Sequence, residues 1–171
     1  RATDIFDELA NQKSTTEAAS SSTSVAKLDL SRVRLAQVNS LMIAGELSSG
    51  ESRIIAYQRA LGRIMELLRE NPRVDVYRIR AAEISLSLGA QYAQKAPFTA
   101  QDVVTSVGHF RYGLTALKSV RQRDPKRITY LLYAAAQRLA VLEKKAPDNA
   151  AIAELKEMVV QQRKELEDSS D

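Results

Sequence analysis

Residues 51–72 read ESRIIAYQRALGRIMELLRENP, and this stretch decides the fold class. Its large apolar residues recur at the three- and four-residue spacing that places them on one face of a helix. They are Ile54, Tyr57, Leu61, Ile64 and Leu68. Pro72 ends the pattern, because proline has no backbone N–H to donate inside a helix. The stretch therefore predicts an amphipathic helix with one face in a core.

The same spacing runs through most of the chain. It predicts further helices marked by Leu35, Val38 and Met42; by Tyr77, Ala81, Ile84 and Leu88; by Val103, Val107, Phe110, Leu114 and Leu117; by Ile128, Ala135, Leu139 and Leu142; and by Ile152, Leu155, Val159 and Leu166. We expect capping boxes at Ser48 with Glu51 and at Thr99 with Asp102. Hairpin signals such as Asn-Gly and Asp-Gly are absent, and no long stretch alternates with period two. The sequence therefore predicts an all-α fold.

Four prolines divide this helical pattern into intervals. Pro72, Pro97, Pro125 and Pro147 are 25, 28 and 22 residues apart. Each interval holds one helix of roughly 20 residues, which is about 30 Å long. Because the connections are short, we expect neighbouring helices to run antiparallel.

Three helices share a smaller motif, in which a small residue is followed at fixed spacing by two aliphatic residues and a proline. The matches are Ala60, Ile64, Leu67, Pro72; Gly113, Leu117, Val120, Pro125; and Ala135, Leu139, Leu142, Pro147. This motif resembles the second half of a tetratricopeptide (TPR) repeat. The matches are 53 and 22 residues apart rather than 34, and the chain has no Trp. The resemblance implies antiparallel helical hairpins stacked in a TPR-like array that binds other proteins; an irregular five- to six-helix bundle needs the same spacing for its packing.

Composition divides the chain into four segments. Residues 1–13 form a short amphipathic piece, and residues 14–26 are rich in Ser and Thr, which predicts a flexible linker. We expect an all-helical domain over 27–168 and a disordered tail at 169–171. The first segment is a candidate docking motif, either for the rest of this chain or for a partner.

Several classes of chemistry are excluded by residue counts. Among the 171 residues there is no Cys and one His, His109. A disulfide, a thiolate nucleophile and a metal site with two histidines from one chain are therefore impossible. No apolar run of about 18 residues is present. We expect no catalytic activity, no cofactor and no metal, and we interpret His109 as a packed or surface residue.

Two glycines share the helix of His109. Gly108 and Gly113 each cost about 1 kcal/mol inside a helix. Their presence indicates a close approach of another helix or a kink, and the alternative is the floor of a groove.

Charge is concentrated in the middle of the chain. The net charge is −1 over 1–49, +9 over 50–147 and −4 over 148–171. Arginine and tyrosine are enriched at the centres of protein interfaces, so we expect a basic, tyrosine-bearing surface that binds an acidic or helical segment of another protein. Its candidate residues are Arg59, Arg63, Tyr77, Arg78, Arg80, Tyr112 and Arg121. The structural alternative is that the tyrosines pack between helices and the arginines pair with acids, as Arg80 with Glu83.

A second functional hypothesis also follows from charge. A sequence pI of about 9.4 is typical of a module that binds nucleic acid or another anionic surface. The last helix either closes the end of the helical stack or self-associates as a coiled coil. The sequence leaves the compartment open, cytoplasmic or extracytoplasmic. Because the chain begins at Arg1, we expect it to be part of a longer or processed protein.

Overall fold

The computed structural model describes residues 30–120 and 124–168, and these residues form helices without any strand. The helices are α1 over 30–47, α2 Gly50–Glu70, α3 Asp75–Gln94, α4 Ala100–Val120, α5 Pro125–Lys145 and α6 Ala150–Glu167. The prediction of an all-α fold is confirmed. The segments predicted at 1–13, 14–26 and 169–171 lie outside the described residues.

The chain divides into two compact units, with the boundary after Ala36. In the first unit, residues 30–36 are helical. The second unit begins at Gln37 and contains the remainder of α1 together with α2 to α6.

Helix α3 is the centre of the second unit, since it packs against α2, α4 and α5. Eleven of its twenty residues are buried, and they cover about two thirds of the helix circumference, leaving only a polar stripe through Arg80, Glu83 and Ser87. A buried surface this wide needs more than one neighbouring helix to cover it. Six of these buried residues are small, which allows close approach: Ala81, Ala82, Ser85, Gly89, Ala90 and Ala93.

The closest helix packing joins α3 to α4. A Cβ atom on Gly89 would lie 2.9 Å from Cδ2 of Phe110. A Cβ atom on Gly113 would lie 2.8 Å from Cγ of Leu86 and 3.1 Å from the carbonyl oxygen of Ala82. Gly113 therefore marks a close helix approach, which is the first of the two interpretations that the sequence allowed.

Helix α4 begins with the predicted capping box. The backbone N–H of Asp102 donates to Thr99 Oγ1 at 3.2 Å, and the backbone N–H of Thr99 donates to Asp102 Oδ2 at 2.9 Å. Lys95 Nζ adds an ion pair to the buried Asp102 at 3.2 Å. Hydrogen bonds from Thr99, and then the charge of Lys95, lower the pKa of Asp102 against the effect of its burial. The carboxylate is thus held charged where it caps the helix.

The capping box predicted at Ser48 and Glu51 does not form, so that prediction is wrong. The N-cap of α2 is Ser49, and it makes no side-chain capping bond. Ser48 instead donates from Oγ to the Ala44 carbonyl at 2.6 Å. Only two residues separate α1 from α2, and the hydroxyl satisfies an orphan carbonyl of the helix that ends rather than an N–H of the one that begins.

All nine small and aliphatic positions of the TPR-like motif are buried. The four prolines lie where helices meet, as predicted; Pro125 is the first residue of α5, and the other three lie in connections. Beyond sequential neighbours, α3 contacts α5 and α4 contacts α6. The apolar stripe of α6 is inside the core, which accounts for Ile152, Leu155, Val159 and Leu166.

Replacing Gly113 with Ala tests the close approach of α3 and α4. The added methyl group overlaps Leu86, so we expect the free energy of unfolding to fall by about 1–2 kcal/mol. The matched control is Gly62→Ala in α2, where nothing lies within 4 Å of the added Cβ; helix propensity should raise stability there by up to about 1 kcal/mol. Urea denaturation of both variants measures the difference. Equal stabilisation by the two alanines would contradict this packing.

Candidate docking groove

A surface groove of about 400 Å³ lies over α3 between α2 and α4. We call it the α2/α4 groove, and its lining residues are Leu61, Met65, Ser85, Thr105, Gly108, His109 and Tyr112. None of these side chains is an acid or a permanent cation. The groove is therefore an uncharged surface on a chain whose middle part is strongly basic.

Tyr112 forms the exposed rim of the groove. Its side chain on α4 is 37% exposed, and its hydroxyl lies 3.0 Å from Sδ of Met65 on α2. Partial burial raises the pKa of Tyr112, so its hydroxyl stays protonated near neutral pH. This contact joins the two walls at one end of the groove.

His109 lies in the wall formed by α4. Its Nδ1 is 3.3 Å from the hydroxyl of Ser85, and its ring stacks on Tyr92 with centroids 5.7 Å apart and planes 11° apart. Tyr92 in turn accepts a hydrogen bond from Gln58 Nε2 at 2.8 Å. Burial lowers the pKa of His109, so the imidazole is neutral at neutral pH.

The contact between Ser85 and His109 holds the imidazole in place and does not present the serine hydroxyl as a nucleophile. Ser85 is 1% exposed, so its hydroxyl is shielded from solvent. Within residues 30–120 and 124–168, no carboxylate hydrogen-bonds to the imidazole, and no three metal-ligating side chains come together. What the arrangement offers chemically is a rigid wall of flat and aliphatic groups.

A second cavity of about 580 Å³ continues beyond Tyr92, towards the start of α2. It is more polar, and its lining includes Glu51, Arg53, Gln58, Gln91 and Lys95. Arg53 is already engaged, since its Nε donates to the carbonyls of Gly45 and Ser48 at 3.1 and 2.7 Å. The Gln58–Tyr92 hydrogen bond stands at the boundary between the two cavities.

The predicted residues Arg59 and Arg63 lie on α2 but outside the groove. Both are exposed, and Arg63 pairs with Glu66 at 3.1 Å. Residues two positions apart on a helix point about 160° apart. Arg59 and Arg63 therefore face away from Leu61 and Met65, so the structure does not bring them together with Tyr112.

The other predicted residues have structural contacts on α3. Tyr77 is 9% exposed and belongs to the core. Arg78 pairs with Asp75 at 3.0 Å and also donates to the carbonyl of Pro72. Arg80 pairs with Glu83 at 2.7 Å. These contacts match the structural alternative that the sequence allowed. Arg121 lies outside the described residues.

Sequence reasoning identified part of the groove. Tyr112 was a predicted binding residue, and a groove floor was the alternative interpretation of Gly108, which is exposed and has nothing within 4 Å of a built Cβ. Leu61 and Met65 were missed. Their positions at the edge of the apolar stripe of α2 are the only signal for them, and that signal is shared by ordinary core residues.

Comparison of the chain with protein-family models, with curated proteins and with solved structures finds no match. None of the described helices combines the length and the apolar character needed to cross a membrane.

The burial of His109 predicts a pH-dependent stability. The pKa of an unfolded histidine is about 6.5, whereas burial lowers the pKa in the folded state. The unfolded chain therefore binds more protons as the pH falls below about 6.5, and the folded state loses stability there, with the full stability present above that pH. We expect a lower urea midpoint at about pH 5.5 than at about pH 7.5.

His109→Gln is the control for this effect. His109 is the only histidine of the chain, so the urea midpoint of the variant should differ much less between the two pH values. An unchanged midpoint in the unmodified protein, or the same change in both proteins, would refute the assignment.

Proposed function

We propose that this chain is a noncatalytic protein-interaction domain that receives a helical segment of another protein in the α2/α4 groove. The observation that carries the proposal is the uncharged groove itself, with Tyr112 exposed on its rim above Met65. Tyrosine is enriched among the hot-spot residues that contribute most of the binding energy of protein interfaces. The resemblance of three helices to tetratricopeptide repeats supports the same function.

The walls of the groove suit the apolar face of a helix. On α2, Leu61 and Met65 are one helical turn apart, and both are half-buried. On α4, Gly108 lies between the turns that carry Thr105 and Tyr112, so the backbone there is open to close approach. Helix-in-groove recognition uses anchors at positions i, i+3, i+4 and i+7 of the bound segment, which match such ridges.

The position of Arg69 favours a partner with an acidic end. It follows Met65 by one turn on the same side of α2, is exposed, and forms no ion pair within the part of the chain that the structure describes. On the other side of α2, Arg59 and Arg63 are proposed to bind an acidic part of the partner. The groove and these two arginines can therefore be tested separately.

The direct test is selection from a display library of random peptides of about 16 residues, a length that spans about 24 Å as a helix. We expect enriched peptides with apolar residues at helical spacing and acidic residues near one end. Nothing lies within 4 Å of a Cβ built on Gly108, so Gly108→Leu places a side chain in the groove. It should weaken binding of the selected peptides at least tenfold, which is about 1.4 kcal/mol. Ala140→Leu is the control: it adds a leucine side chain at an exposed position of α5, a helix that lines no part of the groove, and should leave affinity unchanged.

The double variant Arg59→Glu/Arg63→Glu completes the panel. A loss of affinity would place the acidic part of the partner over α2, and unchanged affinity would restrict binding to the groove. No enrichment of any peptide family, or equal weakening by the two leucine variants, would refute the proposed function. Circular dichroism of each variant confirms that the helices are retained.

A further inference from the structure

Two exposed tyrosines stand on the outer face of α5. Tyr130 is 69% exposed and Tyr133 is 55% exposed. They are three residues apart, so they are neighbours on one helix face with Cβ atoms about 5–6 Å apart. Neither ring nor hydroxyl has a partner within residues 30–120 and 124–168. A tyrosine that serves packing alone is normally covered, which neither of these is.

Lysines extend the same face in both directions. Lys126 precedes Tyr130 by one turn, and Lys144 lies three turns beyond Tyr133. Both are exposed, and neither has an ion-pair partner among the described residues. The two lysines span about 27 Å along α5. We call the set Lys126, Tyr130, Tyr133, Gln137 and Lys144 the tyrosine face.

The acidic groups near this face are already engaged. Asp124 caps α5 by accepting a hydrogen bond from a backbone N–H at 3.2 Å. Glu143, the only acid within α5, accepts from Lys156 of α6 at 2.7 and 2.9 Å. Glu83 of α3 accepts from two arginines, at 2.7 and 2.8 Å. None of these three carboxylates is therefore left to pair with Lys126 or Lys144.

We infer that the tyrosine face binds single-stranded nucleic acid, with bases stacked on Tyr130 and Tyr133 and phosphates near Lys126 and Lys144. Stacking rings combined with a row of cations is the usual composition of surfaces that bind single strands. A duplex keeps its base faces covered, so the two rings favour a single strand. An acidic peptide would pair with the lysines but would leave the two adjacent rings unused. This site is independent of the proposed function, since α5 lines no part of the α2/α4 groove.

The test is fluorescence anisotropy with labelled oligothymidine and oligouridine of about 12 nucleotides, at about 50 mM and 200 mM salt. We expect binding that weakens with salt. Tyr130→Ala/Tyr133→Ala should weaken it at least tenfold, because it removes both rings on which bases stack. Tyr130→Phe/Tyr133→Phe keeps both rings and should retain the affinity. If binding were electrostatic only, the alanine and phenylalanine variants would bind equally well.

Two lysine substitutions test the phosphate contacts. Lys126→Gln/Lys144→Gln should reduce the slope of log affinity against log salt by about 1.4, because each phosphate contact on a single strand contributes about 0.7. The control is Arg163→Gln/Lys164→Gln on α6, which removes the same charge from two exposed residues elsewhere and should leave the slope unchanged.

Three outcomes would overturn the inference. They are no binding at the lower salt concentration, tyrosine variants that bind as the unmodified protein does, and equal affinity for a duplex or for an oligoglutamate peptide of the same length. A preference between the two oligonucleotides distinguishes DNA from RNA as the ligand. Gly108→Leu should not change oligonucleotide binding, so failure of this site and failure of the groove are distinguishable.

Discussion

The contact between α3 and α4 at Gly89 and Gly113 is the constraint on which the second unit depends. With no Cβ at these positions, Phe110 and Leu86 each fill the space that a side chain would occupy. Ser106 Oγ adds a hydrogen bond to the Gly89 carbonyl at 2.6 Å in the buried interface. Such close packing fixes the position of α4 relative to α3. It therefore also fixes the groove residues that these two helices carry.

Because α3 is covered by three helices, its polar side chains need partners from those helices. Glu83 receives an arginine from its own helix and one from α5. Ser85 faces His109 of α4, and Ser87 accepts from Arg138 of α5 at 3.4 Å. A buried polar group left unpaired costs about 1–3 kcal/mol. This requirement accounts for Arg80, which the sequence offered as a binding residue and which pairs with Glu83 of its own helix instead.

The fold was predictable from sequence because it depends on repeated, local signals. Helical spacing of apolar residues and the four prolines indicated the helices and their junctions, and Thr99 with Asp102 indicated one cap correctly. Ser48 was misassigned because its hydroxyl lies between two helices, and sequence does not show which one takes the bond. Which helix end the hydroxyl bonds depends on the backbone geometry of the two-residue connection, and the amino-acid sequence does not show that geometry.

The site was less predictable, since it depends on which edge of a helix meets a neighbour. Arg59 and Leu61 are only two positions apart in the sequence, yet only Leu61 lines the groove. Tyrosines show the same limit: Tyr77 is buried while Tyr130 is open to solvent. Residue type predicts that a tyrosine suits an interface, but tertiary packing decides whether it faces a partner or the core.

The distribution of charge over the two surfaces makes the two functional hypotheses compatible. The α2/α4 groove contains no acid and no permanent cation, whereas the tyrosine face contains unpaired lysines and no free acid. A cationic surface attracts nucleic acid through phosphates, while an uncharged groove gains affinity by covering apolar side chains. Since α5 contributes no lining residue to the groove, one ligand does not occupy the residues that the other needs. The net charge of +9 in the middle of the chain is therefore no argument against a protein partner, because the charge and the groove are carried by different residues.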